Sequence, residues 1–330
     1  MDNSEFSLEK LTDGLGDIIS GVPAPVRKNF FKACAQLCTA AVDVPVAWLE
    51  GKSAEIRATY EARIQIIKKE GNNIAEEIQV PKEYISRASE KFASKIIKEQ
   101  LNLDEITRNA ASNLADEEHK KTSSSTNAEI GDDWLSEFEN LARLKSSEDM
   151  KIIFGKILSG EISSPGTFSI RTVRLISQLD NEAAKLFQLL CSMTVTMDVG
   201  YPVDARVVSL SGSAANNSLA KFGLSFDKLN ILQEYGLIIS DYNSWMRYGP
   251  CIAHNGNQVS AILRFKNRKY GFIPTDKERY DKELKLDGIA LTKAGKELLT
   301  IIPLIEVPQY KSELESFFIS KYLQMIEIKD

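Results

Sequence analysis

Six carboxylates crowd the middle of the chain: Asp132, Asp133, Glu137, Glu148, Asp149 and Glu161. Metal-assisted nuclease chemistry would use such a set, because hard cations need several convergent oxygens. Four of them, Asp132, Asp133, Glu148 and Asp149, fall where helices are expected to begin. A carboxylate there complements the helix macrodipole by about 0.3–1 kcal/mol, which explains it without a metal. A thiol nucleophile would have to combine Cys191 or Cys251 with His119 or His254, the two histidines of the chain. Cys191 falls on the apolar face of an expected helix, and Cys251 and His254 share a loop with no evident third group to orient the imidazole. Cys34 and Cys38 lie four residues apart, one helical face, but a zinc site there would need carboxylates as well. The chain has no Gly-rich phosphate loop, dinucleotide fingerprint or H-E-x-x-H. No catalytic residue, metal ligand or cofactor is assigned, and the balance leans against an enzyme.

Binding patterns are more evident than catalytic ones. Arg264, Lys266, Arg268 and Lys269, interleaved with Phe265 and Tyr270, form a compact basic-aromatic cluster suited to a phosphate backbone. The preceding helix, which would enter a major groove, offers Asp227, Lys228, Asn230, Gln233 and Glu234 on its polar face. With one cation against two acids, that face suits protein contact better than DNA. Upstream, Ile56, Tyr60, Ile64 and Ile67 recur at helical spacing on a charged rod over 52–78. So narrow a stripe buries little within one subunit and predicts helix pairing with a second copy. The segment 30–49 is mostly apolar or small, broken by Lys32, Gln36, Asp43 and Pro45. It makes a poor membrane span and a better buried or interfacial helix, which leaves a membrane contact as a further reading.

Composition sets the frame for these sites. The 330 residues carry 41 Lys plus Arg against 46 Asp plus Glu, a formal charge of −5, with 43% hydrophobic and 26% charged residues. This balance excludes wholesale disorder and a multi-span membrane protein, and an acidic chain is a poor general phosphate binder. Four cysteines in such a length do not make a disulfide framework. An acidic start ahead of any apolar run does not resemble a signal peptide, so the expected location is the cytoplasm.

The elements that must position these residues read as a mainly α chain with a smaller α+β part. Residues 1–115 are expected to form an N-terminal helical oligomerisation region, with a second long helix running from Pro81 toward Leu114. A charged, serine-rich linker occupies 116–131. Residues 132–199 read as a central helical unit of four punctuated helices. In it, Ser146 and Asp149 suggest a capping box, Gly160 a helix end, and Ser169 and Asp180 N-caps. Residues 200–303 follow the order of a winged-helix-like domain. There a helix closes at Gly236, Leu237–Ile239 reads as a strand, 259–265 and 269–273 as a hairpin, and Thr292 caps a last helix. Residues 304–330 are expected to supply a docking helix.

The runs DDWLSEFENLA (132–142), KILSGE (156–161), PGTFSIRTVRLISQLD (165–180) and EAAKLFQLLC (182–191) resemble an uncharacterised bacterial family known only as a domain of unknown function. Gly236-Leu237-Ile238 and LTKAGKELL (291–299) resemble its C-terminal part, so the likeness spans about residues 130–300. The loop and helix after Pro165 are more loosely similar to abortive-infection alpha-type proteins of phage defence. These resemblances imply a bacterial setting and a role in defence, and they bring no active-site residues. The resulting expectation is a non-enzymatic scaffold that self-associates through its N-terminal helices, with a phage or host protein as a further partner. The alternatives are a nucleic-acid-binding winged-helix protein and a membrane-active effector using 30–49.

Overall fold

Leu103, Ile106, Ala110 and Leu114 recur at three- or four-residue steps and are all buried, so one face of a long helix is committed to packing. The computed structural model describes residues 22–38, 82–118, 128–211, 218–239, 241–253 and 258–328, with side chains described over 87–116 of the long helix. Two compact units result, Met1–Ser177 and Gln178–Asp330. The chain is mainly helical, with a smaller part built on an antiparallel sheet. The division falls ahead of residue 199, where the sequence reading had closed the helical unit. Thr194–Asp198 is a strand inside the second unit's sheet, and the helix before it packs on that sheet.

The first unit contains α1 (Ala24–Leu37), α2 (Lys82–Glu118), α3 (Asp132–Ala142), α4 (Glu148–Ser163) and α5, which starts at Ile170 and ends at Gln178. Helices α2 and α4 cross closely because Gly155 has no side chain. A Cβ there would lie 2.5 Å from Asn109 Cβ and 3.2 Å from the Ala110 nitrogen. Phe138 on α3 bridges outward to Trp134 at 5.0 Å and inward to Phe154 at 5.5 Å, which ties α3 to α4. Asn29 on α1 is buried; it donates to Ala128 O and Ile162 O and accepts from the Ile130 N–H, pinning the segment that enters α3.

Two local readings of this unit are corrected. Ser147, not Ser146, is the N-cap of α4 and makes no side-chain cap bond, so Glu148 and Asp149 support that end as first-turn acids. Gly160 does not end α4, which continues to Ser163. Its missing Cβ makes room for the Phe168 ring, which would otherwise lie 2.6 Å away.

The second unit opens with α6 (Asn181–Met193), capped by Asp180 through the Ala183 N–H as its sequence suggests. It continues through β1 (Thr194–Asp198), β2 (Pro202–Val208), α7 (Phe226–Glu234), β3 (Trp245–Arg247), β4 (Ile262–Phe265), β5 (Arg268–Pro274), β6 (Lys285–Ala290), α8 (Lys293–Leu299), α9 (Pro308–Ser320) and β7 (Leu323–Glu327). The strand order is β3-β6-β2-β1-β4-β5-β7. All five residues of β1 are buried, as a central strand covered on both faces requires. Tyr310 of α9 locks onto this sheet: its hydroxyl accepts the Val208 N–H at 2.9 Å and donates to Val208 O at 3.2 Å.

Three features differ from the sequence reading. Leu237–Ile239 contributes a single bridge, Ile238 to Leu291, rather than a strand. The β4–β5 hairpin does not stand free: β4 pairs with β1 and β5 with β7, so it is woven into the sheet. The expected docking helix stops at Ser320, and Leu323–Glu327 beyond it forms β7.

Candidate functional site

The motif residues of the first unit converge on one loop. Glu161, buried at the end of α4, accepts the Gly166 N–H at 2.7 Å on one oxygen and the Phe168 N–H at 2.8 Å on the other. Trp134 donates its indole N–H to Phe168 O at 2.7 Å, and Gly160 leaves space for the Phe168 ring. Gly166 adopts φ 92°, a left-handed turn conformation that glycine tolerates without strain. The acidic-Trp helix, the Gly-Glu helix end and the Pro-Gly-Thr-Phe-Ser loop therefore form one clamp whose polar groups satisfy each other. Such an arrangement holds a fold together.

The other expected carboxylates disperse. Asp132 pairs with Lys32 at 2.6 Å, Glu137 with Arg174 at 2.8 Å, and Glu148 with Lys151 at 3.0 Å. Among the described residues no group of three or more His, Cys, Asp or Glu side chains is placed to hold a metal ion. Cys34, Cys191 and Cys251 are buried. A hydrogen bond with Cys38 and then burial push the Cys34 thiol well up; burial alone does so for Cys191, and it takes Cys251 to about 12. A thiol so raised carries almost no thiolate at neutral pH, which is the reactive form. His119 and His254 lie outside the described residues.

The basic hairpin is formed as read, but its cations have partners. Arg264 meets Asp198 of β1 at 2.5 Å, Lys266 meets Glu306 at 2.7 Å, and Arg268 meets Glu327 of β7 at 2.9 Å. Lys269 is opposite Arg264 in the ladder. The carboxylates come from three distant stretches of sequence, so the apparent patch is in large part neutralised within the chain.

The oligomerisation stripe Ile56, Tyr60, Ile64 and Ile67 lies outside the described residues, as do 39–49 of the apolar segment. The described part of that segment turns Phe30, Ala33, Cys34 and Leu37 into the core of the first unit. No helix among the described residues is long and apolar enough to cross a membrane.

Two features escaped the sequence reading. One is a buried polar network under the sheet edge at β3. Arg206 grips Asp204 at 2.6 and 3.0 Å and donates to Ser244 O and Leu286 O, while Tyr248 donates to Asp204 at 2.8 Å. The other is the first half of α2. Phe92 and Ile96 are 60% and 40% exposed, although they extend the same four- and three-residue pattern that buries Leu103, Ile106 and Ala110 farther along. Their spacing was visible in the sequence; their lack of cover was not.

A family profile described as "Protein of unknown function (DUF2806)" matches residues 86–315, well over half of the chain. The chain belongs to the DUF2806 family. The DUF2806 match takes in the whole Trp134–Glu161–Phe168 clamp, the sheet as far as β6, and all but the first turn of α2. No curated protein and no solved structure matches the chain.

Proposed function

We propose that this DUF2806 member is a non-enzymatic interaction protein that assembles through its N-terminal helices, with a second copy of itself as its first partner. The observation that supports this reading is on α2, where Phe92 and Ile96 stand 60% and 40% exposed in line with the buried Leu103, Ile106 and Ala110. A contiguous exposed apolar patch marks a contact surface, and Phe92 and Ile96 lie one helical turn apart. Of the groups that chemistry would use, Cys34, Cys191 and Cys251 are in the core, Asp132, Glu137 and Glu148 are in ion pairs, and Glu161 is in the loop clamp. Self-association is assigned to the stripe Ile56, Tyr60, Ile64 and Ile67. Light scattering of the full chain at high micromolar concentration should give a mass above one subunit, reduced by Ile64→Asp with Ile67→Asp; a monomer throughout overturns the reading.

The setting proposed is the bacterial cytoplasm and the role anti-phage defence, supported by the looser resemblance of the Pro165 loop to abortive-infection alpha-type proteins. Equal phage plating with and without the gene across a broad panel would remove it. Nucleic-acid binding through Arg264, Lys266, Arg268 and Lys269 is the weaker reading, since a phosphate would have to compete with Asp198, Glu306 and Glu327. A membrane role for 30–49 is weaker still, because the apolar side of α1 is already buried.

A further inference from the structure

We draw no further inference here: the strongest candidate, the sheet edge at β7 with its exposed Ile326, pairs only with β5 among the described residues, and nothing in the structure shows what covers its outer side.

Discussion

Glu161 and Phe168 are seven residues apart, yet the carboxylate of one accepts the backbone N–H of the other at 2.8 Å inside the first unit. That bond turns a helix end into the floor of a loop. The second oxygen holds Gly166 in its left-handed turn, and Trp134 closes the far side through Phe168 O. Removing the carboxylate leaves two N–H groups without their acceptor, and hydrogen bonds to a charged group are worth about 1.5–3 kcal/mol each. Glu161→Ala should therefore lower stability by about 3 kcal/mol in urea denaturation. Gly160→Ala should cost about 1–3 kcal/mol by crowding the Phe168 ring. A Glu161→Ala variant as stable as the parent would show that the clamp does not hold the loop.

Arg206 and Asp204 form a buried pair two residues apart on one strand, with Tyr248 as third member. Burial disfavours the charged guanidinium, but Asp204 offsets this and the net shift of Arg206 is upward, so the guanidinium stays charged. Breaking such a pair from one side leaves a charge uncompensated, which costs about 3–5 kcal/mol. Asp204→Ala should fall in that range, and Tyr248→Phe should cost about 1 kcal/mol. Replacing Asp204 and Arg206 together by apolar residues should cost less than Asp204→Ala alone. An additive double variant would count against a coupled network.

What could be read in advance follows from how local each cause is. Asp180 and Thr292 were recognisable as caps because each bonds an N–H three residues on, and such contacts are written in consecutive residues. The long second helix was visible for the same reason, through its own periodicity. Gly160 misled because a helix-ending glycine and a glycine that admits a neighbouring ring look alike until Phe168 is placed. The tail strand Leu323–Glu327 was hidden because its partner β5 lies about fifty residues earlier, and only the ladder makes it a strand. The basic hairpin was found correctly as a hairpin. Its neutralisation by Asp198, Glu306 and Glu327 was not, since none of the three adjoins it in sequence.

Asp180 also sets an acid dependence. Its carboxylate accepts the Ala183 N–H at 2.7 Å and the Tyr235 hydroxyl at 2.9 Å, and these bonds hold it below the usual aspartate range. A carboxyl lowered by folding stabilises the folded state fully above its unfolded value of about 3.9. That contribution is lost as pH falls through the lowered folded value. Glu129, Glu148 and Glu306, lowered chiefly by hydrogen bonds to Lys28, Lys151 and Lys266, act in the same direction. The urea midpoint should thus drop between about pH 4 and pH 2, and Asp180→Asn should flatten the drop in part. An unchanged acid slope in Asp180→Asn would mean that this cap does not titrate with folding.

Thiol chemistry gives the most direct check on the enzyme reading. Cys34, Cys191 and Cys251 are buried with their thiols pushed up, whereas Cys38 is half-buried at the end of α1. Reaction with a disulfide reagent requires both access and thiolate, and three of the sites lack both in the folded chain. At about pH 8 the native protein should therefore release a signal for Cys38 alone on a timescale of minutes. All four thiols in the sequence should react after denaturation. Cys38→Ser should abolish the early phase. Prompt modification of Cys251 in the native Cys38→Ser variant would mean that its loop opens to solvent, and would restore Cys251 with His254 as a nucleophile pair to be tested by activity.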